Sequence, residues 1–79
     1  MPKPAKRLPS DLPRVRVLRA VKRLGFELGR DSGDHSVYKH IDDPDRFMVI
    51  PRHSRVKRHL LQSILSGAGV TEEQFMAAY

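Results

Sequence analysis

Apolar residues recur at helical spacing between residues 12 and 24. Five of them share one arc of about 160° when placed about 100° apart: Val17, Leu18, Ala20, Val21 and Leu24. Four basic residues share the opposite side: Arg16, Arg19, Lys22 and Arg23. Ser10 or Asp11 can cap this segment, Pro13 suits a first helical turn, and Gly25 ends it. The pattern predicts a helix near 12–24 with one buried face and one basic face.

Three short segments after Gly25 have strand patterns. Residues 26–30 alternate apolar and polar, "HSVYKHI" is rich in strand formers, and "RFMVI" is an apolar run closed by Pro51. The links "DSGD" and "DDPD" have the composition of turns. Such short links favour an antiparallel arrangement of three neighbouring strands.

Helical spacing returns after Pro51 and predicts a second helix over roughly 56–67. Its apolar residues share about 140° of arc: Leu60, Leu61, Ile64, Leu65 and Ala68. Gly67 or Gly69 can end it. Thr71 and Gln74 form a capping-box pattern, which predicts a short third helix to about residue 78, with Phe75 packed on the domain.

This order predicts an α+β fold: a three-stranded antiparallel sheet with two helices on one face and a short C-terminal helix. The segment "MPKPAKRLP" holds three prolines and three basic residues, which disfavour regular structure. We therefore predict a flexible basic N-terminal arm over residues 1–10 and a single domain over residues 11–79. A chain of 79 residues suits one small domain.

The chain has no cysteine, so it has neither disulfides nor a cysteine-based zinc site, which fits a reducing cytoplasm. No segment reaches the roughly 18 consecutive apolar residues of a membrane span, and the N-terminal residues lack the apolar stretch of a signal peptide. We expect a soluble cytoplasmic protein with no membrane partner and no small-molecule cofactor.

The net charge of +6 is unevenly distributed. Residues 1–23 hold eight Lys or Arg and one Asp, residues 24–51 hold three basic and six acidic residues, and residues 52–79 hold four and two. A basic field attracts polyanions, so nucleic acid is the leading partner class. A solubilising surface explains the charge equally well, because small domains commonly carry a net charge of about 2–8.

The histidines do not have the spacing of a metal site. His35 and His40 are five residues apart on one predicted strand and point to opposite faces, and His59 lies on the polar side of the second helix. "DDPDR" lacks the glycine and spacing of a calcium loop. A serine-nucleophile elbow and a phosphate-binding glycine loop are also missing. No metal site is predicted.

His35 enters a strand directly after the "DSGD" turn. An imidazole can take a proton from a hydroxyl or give one to a leaving oxygen, and in RNA the ribose 2′-OH can attack the neighbouring phosphate. The candidate phosphate-binding residues are Arg30, Lys39 and Arg52, with Arg16, Arg19 and Lys22 of the first helix. His53 follows the third strand and is a candidate second acid or base. On composition and spacing alone, His35 fits a polar turn residue better than a catalytic one.

Three stretches nevertheless occur in a specific order: "LRAVKRLGFELGRDSGDHSVYKH", "MVIPRHS" and "LLQSILSGAGVTEEQF". They resemble the opening helix and Gly-Ser/Thr-His strand–turn–strand, the "VPxH" third strand and the "LxSILxxAGxxxxEF" second helix of the HicA (YcfA-like) family of mRNA interferase toxins. The resemblance covers about residues 14–76.

The resemblance implies an α-β-β-β-α fold like that of the double-stranded-RNA-binding domain. It also implies metal-independent cleavage of mRNA with His35 as the catalytic residue, and a HicB-type antitoxin that covers the active site. Two hypotheses of other classes stay open at this point. One is a non-catalytic RNA-binding domain in which His35 is a contact residue, and the other is a protein whose apolar sheet face docks on a partner chain.

Two positions depart from the family pattern. Asp34 stands where the family has a small Ser or Thr, and it places a carboxylate beside His35, where it can disfavour an approaching phosphate. His59, Leu60 and Leu61 stand where the second helix usually begins with Gly-Thr-Leu.

Overall fold

The computed structural model describes residues 7–79. Its elements in chain order are β1 (Asp11–Pro13), α1 (Arg14–Arg23), β2 (Phe26–Ser32), β3 (His35–His40), β4 (Phe47–Pro51), β5 (Arg55–Lys57), α2 (Arg58–Gly67) and α3 (Glu72–Ala78). The strands β2, β3 and β4 form an antiparallel sheet with β3 in the middle. The order α1-β2-β3-β4-α2, followed by a short C-terminal helix, confirms the predicted α+β, α-β-β-β-α fold.

The core lies between the helices and one face of this sheet. Tyr38, Met48 and Ile50 alternate along β3 and β4 and are buried, whereas Phe47 and Val49 on the other face are exposed. The buried helix residues in the same core are Val17, Ala20, Val21, Leu61 and Leu65. Both main helices therefore cover one face of the sheet, as predicted, and the other face is left open.

Both main helices begin later than predicted, because a short strand precedes each of them. α1 begins at residue 14 instead of 12, and α2 at residue 58 instead of about 56. The preceding strands β1 and β5 pair with each other, with Leu12 opposite Val56, and both of these side chains are fully buried. Leu12 and Val56 therefore lie in strands, although the helical pattern predicted that both residues belong to helices.

The helix caps differ from the prediction in the same region. Pro13 is the N-cap of α1 and no side chain caps that helix, so the predicted capping by Ser10 or Asp11 is wrong. The Ser10 carbonyl instead accepts a hydrogen bond of 3.0 Å from the Arg58 backbone, and the Asp11 carboxylate binds Arg55. Both residues are used to join β1 to the segment that enters α2.

The third helix follows its prediction closely. Thr71 and Gln74 form the capping box in both directions, and Phe75 is fully buried. One residue of the predicted apolar stripe of α2 behaves differently, since Leu60 is 38% exposed. It lies in the first turn of α2, where the helix borders a surface groove. No helix within residues 7–79 is long and apolar enough to span a membrane.

The predicted flexible arm falls partly outside the described residues, which begin at residue 7. Leu8 is buried in the core, and its carbonyl accepts a 2.8 Å hydrogen bond from Arg58 Nε. The flexibility predicted for residues 1–10 stays a prediction, and Leu8 is packed on the domain. The apolar side chain of Leu8 supplies the physical reason, because its burial is favourable.

Candidate active site

A tight turn places His35 at the first position of the central strand. Gly33 and Asp34 form the link between β2 and β3, and Gly33 has a positive φ of 20°, a conformation that glycine adopts readily. His35 then pairs with Ser32 on one side and with Pro51 on the other. Its neighbour along the strand, Ser36, is buried on the helix side, so the His35 side chain lies on the open face of the sheet.

A surface cavity of about 310 Å³ is centred on this strand end. We call it the His35 pocket, and its lining residues are Asp34, His35, Pro51, Arg52 and His53. The backbone N–H of Arg52 donates a 3.0 Å hydrogen bond to the Asp34 carbonyl, which holds the two chain segments together at the pocket edge. The pocket therefore brings His35, Arg52 and His53 together in a site that opens to solvent.

A chain of polar side chains supports the guanidinium of this pocket. Arg14 Nη2 donates a 2.9 Å hydrogen bond to Ser36 Oγ, which in turn donates a 3.0 Å hydrogen bond to Asp31 Oδ1. The same carboxylate forms an ion pair with Arg52. Arg14 Nε also donates to the Pro51 carbonyl at 2.9 Å. Through these contacts the start of α1 helps to fix the position of Arg52 beside His35.

The hydrogen bonds also set the charge state of Asp31. The hydrogen bond from Arg52, followed by that from Ser36, holds the pKa of the Asp31 carboxyl below its usual value. Asp31 therefore stays ionised throughout the neutral range. Its negative charge attracts the guanidinium of Arg52 and holds it in position. Both side chains nevertheless remain partly exposed, at 43% for Asp31 and 44% for Arg52.

A β-bulge brings Arg30 to the same face as His35. The register of β2 against β3 shifts between Leu28 and Arg30, with Gly29 as the extra residue. Strict alternation would place Arg30 on the face of Phe26, toward the helices. After the bulge, Arg30 instead pairs with Val37 on the open face. Its partner Val37 is two residues from His35 on β3, or about 7 Å along that strand at the usual rise.

Lys39 shares the open face but lies farther from the pocket. It is on β3, four residues from His35, which corresponds to about 13 Å along the strand. It pairs with Glu27 and Phe47 on the two neighbouring strands. Lys39 therefore shares a face with His35 but lies outside the pocket, whereas Arg52 lines the pocket itself.

The basic residues of α1 are not brought to this site. Arg16, Arg19 and Lys22 are exposed on the helix that packs against the other face of the sheet. The Arg16 guanidinium lies over the Tyr79 ring, 4.1 Å from its centroid. The structure thus separates the predicted phosphate-binding residues into one set near His35 and one set on α1.

The other two histidines near the sheet, His40 and His53, lie in different surroundings. His40 lies on the helix-facing side of β3 and packs edge-on against Phe26, with ring centroids 5.0 Å apart. No group of three or more His, Asp or Glu side chains within residues 7–79 is placed to hold a metal ion. His53 lines the His35 pocket, as the position after the third strand suggested.

Sequence reasoning missed three residues of the site: Arg14, Asp31 and Ser36. Asp31 was assigned only to a turn, and its partner Arg52 is 21 residues away in the chain. A carboxylate in a predicted turn is a weak signal by itself, because acidic residues are common in turns. Only the pairing of β2 with β3 brings Asp31 opposite Ser36.

A comparison with family models places the chain in a known family. Residues 15–70 match the model of the family described as "HicA toxin of bacterial toxin-antitoxin", and a comparison with curated proteins finds no match. The matched segment is well over half of the chain and contains His35, Arg52 and His53. The chain therefore belongs to the HicA toxin family and is the toxin of a bacterial toxin–antitoxin pair.

Proposed function

We propose that this toxin is an endoribonuclease that cleaves mRNA at the His35 pocket, without a metal ion and in the cytoplasm. The observation that carries the proposal is the convergence of His35, Arg52 and His53 in one solvent-accessible cavity of about 310 Å³. Two imidazoles and a guanidinium are the groups that a metal-free phosphoryl transfer uses, namely proton carriers and a fixed cation.

The proposed reaction uses the ribose 2′-OH as the nucleophile. One imidazole accepts the 2′-OH proton as the oxygen bonds to the adjacent phosphorus, and the bond from phosphorus to the 5′ oxygen breaks. A second group, for which His53 is the candidate, gives a proton to the departing 5′ oxygen. The products are a 2′,3′-cyclic phosphate and a 5′-OH. Because the substrate carries its own nucleophile, the reaction needs no metal-activated water.

Arg52 and the open sheet face bind the RNA in this proposal. The guanidinium of Arg52, held by Asp31, faces the phosphate whose charge grows during the reaction, where a fixed donor is most effective. Arg30 and Lys39 contact phosphates farther along the open face. Arg16, Arg19 and Lys22 form no part of this surface, since α1 lies on the other side of the sheet.

A HicB-type antitoxin is the proposed inhibitor. Membership of the toxin family implies an antitoxin partner. The open face carries exposed Phe47 and Val49 beside the basic Lys39, so a partner that covers the His35 pocket can also bury apolar surface. Co-purification with the product of a neighbouring reading frame, followed by loss of RNA cleavage, is the result expected for this pairing.

Cleavage of a single-stranded RNA in the presence of EDTA tests the proposed activity. The unmodified protein is expected to release fragments that end in a 2′,3′-cyclic phosphate. His35→Asn is expected to lower the rate by a factor of about 10²–10⁴, the usual contribution of a general acid or base. A 2′-deoxy residue at the cleaved position should abolish the reaction, because it removes the nucleophile.

His40→Asn is the matched control, since it removes a histidine from the opposite face of the same strand. Thermal unfolding of both variants shows whether either change disturbs the fold. Intact RNA after incubation with the folded unmodified protein contradicts the proposed activity. Binding of RNA without cleavage then favours the non-catalytic RNA-binding domain, and cleavage only with added metal contradicts the metal-free route.

A further inference from the structure

A second groove adjoins the His35 pocket. It has a volume of about 260 Å³, and its lining residues are His53, Arg55, Lys57, His59 and Leu60. We call it the α2 groove. His53 lines both cavities, so the groove continues directly from the candidate active site toward the first turn of α2.

The strand β5 explains why basic side chains line this groove. Val56 is fully buried, and the residues on either side of it, Arg55 and Lys57, point away from the core. Arg55 Nε donates a 2.8 Å hydrogen bond to Asp11. Within residues 7–79, no ion pair or side-chain hydrogen bond uses the Lys57 amine or the His59 ring. Lys57 and His59 are therefore available to an anionic ligand.

The groove also has an apolar side. Leu60 is 38% exposed in the first turn of α2, although the helical pattern places it with the core residues. No acidic residue lies in that turn, and the carboxylate of Asp11, which lies opposite Lys57 on β1, is bound by Arg55. The groove lining itself contains basic residues and no acidic residue. A mixed lining of cation, imidazole and aliphatic side chain matches a nucleotide, which has an anionic phosphate and flat, weakly polar faces on its base.

We infer that the α2 groove binds the next nucleotide of single-stranded RNA beyond the two that flank the scissile phosphate. Lys57 binds its phosphate, and His59 and Leu60 contact its base or sugar. The inference rests on the proposed ribonuclease function and adds a substrate-binding subsite to it. The volume is near the lower limit of small-ligand pockets, about 300 Å³, which favours one nucleotide over a longer segment.

Cleavage of two substrates tests the inference: a dinucleoside monophosphate and an eight-nucleotide RNA. The unmodified protein should have a lower KM for the longer RNA. Lys57→Glu should raise KM for that RNA by about ten-fold, the effect of losing one hydrogen bond to a charged group, and leave cleavage of the dinucleotide unchanged. Leu60→Thr should produce a smaller rise. Lys22→Glu is the control, because it makes the same charge change in the last turn of α1, which does not line the groove.

A variant that matches the unmodified protein on both substrates overturns the inference and leaves the proposed function intact. If the unmodified protein cleaves neither substrate, the proposed function fails. Binding in the α2 groove is then tested separately, by measuring the affinity for an uncleavable 2′-O-methyl octanucleotide. A loss of affinity for Lys57→Glu, with a salt slope shallower by about 0.7 for one lost phosphate contact, supports a binding groove. Equal affinities of the Lys57 and Lys22 variants, or no measurable binding, overturn it.

Discussion

Arginine side chains on the helix side of the molecule and at the His35 end of the sheet bind different acceptors. On the helix side, Arg23 Nη1 donates to the Ala78 carbonyl at 3.0 Å, and Arg46 Nε donates to the Ala68 carbonyl at 2.9 Å. Both carbonyls lie at or just beyond the end of a helix. At the other end, Arg52 binds a carboxylate, that of Asp31.

The difference shows that a net charge of +6 is not all available to a polyanion. Carbonyl groups at helix C-termini lack helical partners and carry partial negative charge, so a guanidinium there stabilises the fold. Part of the basic excess is therefore structural. The guanidinium of Arg52, in contrast, lines a cavity and is oriented by a carboxylate. The net charge counted from the sequence therefore overestimates the positive charge that is available to a polyanion.

Phe75→Ala is expected to have the largest effect and tests the helix side. Phe75 is 0% exposed, so its removal should lower the free energy of unfolding by about 3–5 kcal/mol. Phe47→Ala is the matched control, because Phe47 on the open face is 49% exposed, and a change of at most about 0.5 kcal/mol is expected. Urea denaturation measures both values. Equal losses would contradict the assignment of the core to one face of the sheet.

Arg52→Ala should lower kcat/KM for RNA cleavage by a factor of about 10²–10³, the loss expected when a donor to the developing charge is removed. Arg23→Ala should leave cleavage within roughly two-fold, because charges beyond about 8 Å are screened at physiological salt. It should instead lower the free energy of unfolding by about 0.5–1 kcal/mol. Steady-state kinetics and denaturation are measured on both variants. If both substitutions lower kcat/KM, or both lower only the free energy of unfolding, the proposed difference between Arg52 and Arg23 is wrong.

Asp34→Ser should strengthen the binding of RNA at the His35 pocket. Removing one negative charge near the phosphate should lower KM about five-fold, which corresponds to about 1 kcal/mol for two charges some 4 Å apart in water. The value of kcat should stay the same, since the contact from Asp34 to Arg52 uses the backbone carbonyl. Asp45→Ser, in the β3–β4 turn, is the control. An increase in KM for Asp34→Ser would mean that its carboxylate assists binding.

Asp31→Asn should have the smallest effect, which is a pH-dependent change in the stability of the fold. Its pKa is lowered in the folded state, chiefly by the hydrogen bond from Arg52 and then by that from Ser36. The stabilisation is therefore complete above the unfolded pKa of about 3.9 and is lost as the pH falls through the lower folded value. Asp31→Asn should melt below the unmodified protein at pH 7, with a difference that shrinks below about pH 4. A difference independent of pH would contradict this origin.

The sequence alone predicted the elements that depend on near neighbours. Apolar spacing identified α1, α2 and the three strands of the sheet, and the Thr71–Gln74 capping box identified α3, because these signals lie within a few residues of one another. The turn before His35 was predicted in the same way, from the adjacent residues "DSGD". The family motifs were visible in the same way, which is why the family match over residues 15–70 agrees with the resemblance.

The tertiary structure decided what lies together around His35. The bulge at Gly29 turns Arg30 to the open face, and pairing of β2 with β3 brings Asp31 opposite Ser36. The pairing of β1 with β5, whose residues Asp11 and Arg55 are 44 positions apart, shortens both main helices at their starts. Such contacts depend on strand register and on packing between distant segments, whereas a periodic pattern of apolar residues describes only the face of each separate element.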